Sequence, residues 1–186
     1  MRSAGLMLLL ALLVPAAAQA KRPPVVGTCG GANAGGTFAG AFADRSRNVI
    51  VGPLSLPFAA SHTDVSPALI NRFGGDKFPV LLREGRTATI RIAKALRPVP
   101  AGYERVPLAE AAFSVRGRPV RSLVFRACPR GEAQNVVDGV RVTFWMLWIT
   151  VRAPACVYLD ISIDGKRTRK RTTSWGAGAC PRRSAA

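Results

Sequence analysis

The chain carries a single histidine, His62, in the stretch Ser61-His62-Thr63-Asp64. These are the residue types of a serine-nucleophile triad, but a triad needs three side chains converging from separate segments. Neighbours on one stretch point apart, and no G-x-S-x-G elbow is present, so the segment reads as a polar surface turn. Thiol catalysis would need a free thiolate beside that imidazole. The four cysteines, Cys29, Cys128, Cys156 and Cys180, are instead an even set suited to two disulfides. A carboxylate pair for glycoside hydrolysis could be drawn from Glu84, Glu104, Glu110, Glu132, Asp138, Asp160 or Asp164. Simpler places suggest themselves: Glu84 in a turn, Asp164 before Gly165 in another, Asp160 outward on a strand. One imidazole excludes a His-rich metal site, and the absence of C-x-x-C spacing argues against structural zinc. Calcium-loop spacing is missing as well. The expectation is a non-catalytic protein with no cofactor and no metal.

The best-defined constellation is basic. Lys166-Arg167-Thr168-Arg169-Lys170-Arg171 places five cations in six positions, in a chain of net charge +17, with Arg182 and Arg183 beyond. Such a cluster attracts anionic polymers through its field and through counterion release. Arginine dominates, and its planar fork suits bidentate contact with phosphate or carboxylate. Lys166, Arg167, Arg169, Lys170 and Arg171 are therefore the expected contacts for an anionic cell-envelope polymer or an acidic protein. No specific nucleic acid is expected. The plainer reading is a solvated hairpin tip whose charge only aids solubility. Phe144, Trp145 and Trp148 could make a stacking platform. Trp145 and Trp148 are three apart, however, and face opposite sides of a regular strand, so at least one belongs to a core.

The elements that must hold these residues begin after a leader. Arg2, an apolar run from Leu6 to Val14 and the small residues to Ala20 follow the order of a secretory signal peptide over residues 1–20, cleaved after Ala20. The run is short for a bilayer span, so a secreted, extracellular protein with no transmembrane segment after cleavage is expected. Residues 21–46 are rich in Gly and Ala and read as a lead-in. Residues 47–180 read as one domain, and 181–186 as a basic tail. With 48 % hydrophobic residues the chain is not a disordered tail, and its 18 glycines and 14 prolines favour turns over long helices.

Strand signals recur along the domain. Val49 to Val51 and Leu54 to Leu56 flank Gly52-Pro53, and Ser61 to Asp76 is polar and turn-rich. Pro79 to Leu82, the turn Arg83-Glu84-Gly85-Arg86 and the alternating Thr87 to Ile92 read as a hairpin. Val106 to Phe113, Val120 to Ala127, Val140 to Val151, Val157 to Ile163 and Thr172 to Trp175 complete the set. Val140 to Val151 is apolar on both faces from Phe144 onward, as in a strand covered on both sides. Seven to eight short strands with turns between them, and no helix beyond the leader, predict an all-β chain. The expected fold is a single antiparallel β-sandwich, immunoglobulin-like, with two disulfides. Four cysteines allow three pairings. Cys156 opens one strand and Cys180 closes the next, which favours pairing those two and leaves Cys29 for Cys128.

The chain resembles a group of small, uncharacterised exported proteins of high-GC Gram-positive bacteria. The resemblance rests on Val51-Gly52-Pro53-Leu54, on the run from Val80 to Arg91, and on Phe125-Arg126-Ala127-Cys128-Pro129. Further along, Ala155-Cys156-Val157 with Leu159-Asp160-Ile161, and Ser174 with Gly176-Ala177-Gly178 and Cys180, continue it. It covers roughly residues 50 to 180, the span of one domain. Trp145-Met146-Leu147-Trp148 departs from it, being heavier than the glycine-containing segment expected there. The resemblance implies secretion and a β-sandwich and carries no activity. Two functions follow as expectations: a secreted binding module acting through the basic hairpin, or an inhibitor of an exported enzyme presenting the braced loop Cys128-Pro129-Arg130-Gly131.

Overall fold

The computed structural model describes residues 25–60 and 66–181. The leader, the segment Ser61-His62-Thr63-Asp64 and the Arg182-Arg183 pair lie outside the described residues. In chain order the strands are β1 (Val25–Gly27), β2 (Val49–Val51), β3 (Leu54–Leu56), β4 (Gly75–Arg83), β5 (Thr87–Val99), β6 (Gly102–Val106) and β7 (Ala111–Val115). They continue with β8 (Arg118–Val120), β9 (Ser122–Arg126), β10 (Asn135–Val137), β11 (Val140–Val151), β12 (Ala155–Ile163) and β13 (Arg169–Trp175). One sheet runs β1-β9-β5-β12-β13 with β6 added beside β5; the other runs β2-β3-β4-β11-β7-β8 with β10 added beside β11. All pairs are antiparallel except β1 with β9.

The two sheets form a sandwich because their strands turn one apolar face to the same interior. Ile90, Ile92, Val157, Leu159 and Ile161 of the first sheet meet Val80, Leu82, Trp145, Leu147 and Ile149 of the second, all within one buried cluster. Trp145 lies in this core against Phe125, with ring centroids 5.1 Å apart. Trp148, on the opposite face of β11, is only partly covered. The outer face of β11 is covered at Phe144 but not throughout, since Met146 is exposed.

Two hairpins close through paired positive-φ residues, Arg116-Gly117 between Val115 and Arg118 and Asp138-Gly139 between Val137 and Val140, while Asp164-Gly165 shares that backbone at the start of the longer β12–β13 connection. The first two are two-residue turns whose twist matches the strands.

Several sequence expectations need correction. Pro79 to Ile92 is not a hairpin: β4 pairs with β3 and β11, whereas β5 pairs with β9, β6 and β12. The turn at Arg83 to Arg86 therefore carries the chain from one sheet to the other. Alternation identifies a strand but not its partner, and a crossing turn and a hairpin turn look alike in sequence. The run from Val120 to Ala127 likewise switches sheets at Arg121, between β8 and β9. The polar stretch before β4 contains a helix, α1 (Pro67–Phe73), with Ser66 capping the Leu69 N–H, Pro67 in the first turn and left-handed Gly74 closing it.

The Gly/Ala-rich segment up to residue 46 is an integral layer, not a lead-in. β1 joins the first sheet, and Asn33 bridges to Phe144 in the second. Phe38, Ala41 and Phe42 then pack over Leu81, Val142 and Phe144 on the outer face of the second sheet. The Asp138 carboxylate accepts the Gly40 N–H at 2.8 Å and the Phe42 N–H at 3.3 Å, which fixes that layer. Both disulfides have the expected pairing, Cys29–Cys128 and Cys156–Cys180. The second draws residues 176–181 over the outer face of β12. There Tyr158 donates to the Pro181 carbonyl at 3.1 Å and Tyr103 donates to that of Ala179.

Candidate functional site

The crossing turn between β4 and β5 lies at one pole of the sandwich. The β2–β3 bend at Gly52-Pro53, the loop after Cys128, the start of β11 and the tip of the β12–β13 hairpin lie there too. Backbone bonds tie these together: the Gly85 N–H donates to the Cys128 carbonyl at 2.7 Å, and the Arg83 N–H to that of Pro53 at 3.0 Å. Between them lies a cleft of about 370 Å³ lined by Arg83, Arg86, Arg130 and Arg141, with Glu84 as the one acidic side chain in its wall.

Three of the four guanidinium groups are held from behind. Arg83 lies over the Phe42 ring, 5.0 Å from its centroid. Arg86 is ion-paired with Asp164. Arg141 donates from Nη1 to the Ala133 carbonyl at 3.0 Å. Arg83 is held by the face of its guanidinium and Arg86 and Arg141 by part of their N–H fork, which leaves N–H groups for a ligand. Ordering these side chains in advance lowers the entropic cost of binding. Arg86 Nε is buried with no hydrogen-bond partner among the described residues. The stem of Arg130 runs past Gly85, where an added Cβ would stand 3.5 Å from Arg130 Cγ. Glu84 accepts the Gly131 N–H through Oε2 at 2.8 Å and so secures the loop that carries Arg130.

The basic run does not stay together as one loop. Lys166 and Arg167 are exposed at the hairpin tip, beside the cleft through the Arg86–Asp164 pair. Arg169, Lys170 and Arg171 belong to β13, and strand alternation divides them. Lys170 stands opposite Asp160 on the outer face, where Arg91 donates to Asp160 at 2.6 Å. Arg169 and Arg171 stand opposite Ile161 and Leu159, on the face that looks inward. The Arg171 guanidinium is held below the usual arginine range, first by burial and then by the charges of Arg45 and Arg169.

Carboxylates singled out in the sequence serve as structural partners. Asp160 holds Arg91, Asp164 holds Arg86 and the Thr87 N–H, Glu104 holds Arg97, and Asp138 and Glu84 accept backbone N–H groups. Among the described residues no three His, Cys, Asp or Glu side chains gather as metal ligands. His62 lies outside those residues.

Arg83, Arg86 and Arg141 were not evident as site residues in the sequence. They sit on three different strands or turns and meet only because the chain crosses between sheets at 83–86. No protein-family model matches the chain, and neither does any curated protein or solved structure.

Proposed function

We propose that the protein is a secreted, non-catalytic binding module that holds an anionic polymer of the cell envelope at the arginine-lined pole. The observation that carries this reading is the cleft itself. Four arginines and one glutamate line it, and three of the four guanidinium groups are already held by other parts of the fold. Lys166 and Arg167 extend the same positive surface. Export accords with the leader-like N-terminus and with two disulfides, which persist in oxidising compartments. No helix among the described residues is long and apolar enough to cross a membrane. Membership of the exported high-GC Gram-positive group, and an immunoglobulin-like form of the sandwich, belong to this proposal and rest on the motifs and strand count.

The inhibitor reading would need Arg130 as a presented contact residue. Arg130 is exposed, but its stem runs along Gly85 in the wall of the cleft beside three other arginines, which favours the anion reading.

The test is co-sedimentation of the oxidised protein with washed cell envelopes across a salt series. The parent is compared with Arg130→Gln/Arg141→Gln and with a chain in which Lys166, Arg167, Arg169, Lys170 and Arg171 are changed to Ser. Binding by the parent is expected to fall steeply with salt, and each variant to flatten the log–log slope by about 0.7–0.9 for every bound cation it removes. Retention that ignores salt, or that is equal in all three proteins, overturns the proposal.

A further inference from the structure

The edge of the sandwich opposite β8 is bounded by β13 in one sheet and β2 in the other, and the two strands come against each other there. Residues on the inner face of β13 change character along the strand. Trp175 and Thr173, opposite Ala155 and Val157, are buried, whereas Arg171 is half-buried and Arg169 is exposed. Inward-facing residues of an edge strand normally close the core with apolar side chains. Here two arginines stand in that row instead. Arg45, in the turn that leads into β2, adds a third charge from the other sheet. Among the described residues none of the three forms an ion pair. Asp44, beside Arg45, is engaged by the Ser46 hydroxyl and by the N–H groups of Ser46 and Arg47. Arg45 is exposed like Arg169, and Arg171 donates from Nη1 to the Lys170 carbonyl at 2.8 Å, so the cost of the like charges falls on half-buried Arg171, and a bound anion offsets it.

We propose that Arg45, Arg169 and Arg171 form a second anion seat at this open edge, and that one linear polyanion runs from it to the arginine cleft. The seat stands on the register of β13 and its approach to β2. The shared polymer rests on the reading of the cleft given above. Asp164, paired with Arg86 at the cleft, and Arg171 are joined by a short stretch of the β12–β13 hairpin. At about 3.3 Å per residue of strand the two sites are roughly 15–20 Å apart. A chain long enough to span them gains from effective concentration, and a shorter one does not.

Two measurements test this on the oxidised protein, with Arg45→Gln/Arg171→Gln set against the parent. Arg118→Gln/Arg121→Gln, at the far edge, removes the same charge as a control. First, sulfate replaces chloride at matched ionic strength in thermal unfolding. The parent and the Arg118→Gln/Arg121→Gln control are expected to gain about 2–4 °C at a few-fold excess of sulfate over its dissociation constant, and the edge variant clearly less, the cleft supplying what remains. Second, inorganic polyphosphate chains of graded length are titrated. Beyond the spanning length the edge variant is expected to bind roughly tenfold or more weakly than the control, and below it equally. An edge variant whose sulfate gain equals that of the Arg118→Gln/Arg121→Gln control overturns the seat. A reduced sulfate gain with unchanged long-chain affinity overturns the shared polymer. In either case a continued dependence on Arg130 and Arg141 leaves the function proposed for the cleft standing.

Discussion

Asp164 opens the turn of the basic hairpin and is also the ion-pair partner of Arg86 in the cleft wall. Its other oxygen accepts the Thr87 N–H at 2.9 Å, and its own N–H donates to the Thr87 carbonyl at 2.8 Å. One residue thus fixes the hairpin tip to the start of β5. It also supplies an internal carboxylate that competes with any anion for Arg86.

Asp164→Asn separates these roles, because asparagine tolerates the positive φ and still accepts the Thr87 N–H. The two side chains are 41 % and 30 % exposed, so stability should change by less than about 1 kcal/mol. Affinity for polyphosphate at low salt should rise, since Arg86 loses its competitor. Titration calorimetry beside a urea melt checks both, and weaker binding at unchanged stability would contradict the competing role.

The two disulfides should contribute unequally. Cys29 and Cys128 are 99 residues apart, and Cys156 and Cys180 are 24 apart. Loop closure in the unfolded chain then gives roughly 4.7 kcal/mol for the first and roughly 3.4 kcal/mol for the second. Paired Cys→Ala variants in denaturant unfolding should lose stability in that order.

Gly75 begins β4 with φ +153°, and an added Cβ would lie 2.0 Å from the Ile149 carbonyl oxygen. Gly117 has positive φ but open space around it. Gly75→Ala should cost well over about 1 kcal/mol and exceed Gly117→Ala, whose cost is left-handed strain alone, about 1–2 kcal/mol. Urea midpoints of the two variants decide it.

Asp44 is held below the usual carboxylate range, chiefly by the Ser46 hydroxyl and with help from the backbone N–H groups of Ser46 and Arg47. A depressed folded-state pKa contributes stability that is present above the unfolded value and lost as pH falls through the folded one. Ser46→Ala should move the Asp44 midpoint back up in a carboxyl-detected NMR titration. An unchanged midpoint would remove the hydroxyl as the main cause.

Local pattern carried much of the fold. The apolar run Val140 to Val151 coincides with β11, and Asp164-Gly165 with a hairpin turn, because β-branched residues and turn chemistry act within a few positions. Partner choice is not local. Thr87 to Ile92 alternates plainly, yet nothing in those residues says that β12 and β9, and not β4, lie alongside. The same gap hid the cleft, whose arginines at 83, 86, 130 and 141 are ordinary surface charges until the crossing turn brings them together. Glycine and alanine likewise disguised the outer layer, where only Phe38 and Phe42 mark a buried surface. The division of Arg169, Lys170 and Arg171 between two faces follows from strand alternation once the register is known.

The segment from Val25 to Ser46 is paired with one sheet at β1, bridged to the other at Asn33, and pinned between β9 and β10 by Cys29–Cys128. The indole N–H of Trp145, from the middle of the core, donates to the Thr28 carbonyl of the same segment at 3.1 Å. It lies as a belt buckled around the sandwich, tied to both sheets and to the core. Amides of β11 near Phe144 and Trp145 should therefore exchange with solvent no faster than those of the belt, and reduction of Cys29–Cys128 should speed the exchange of both together.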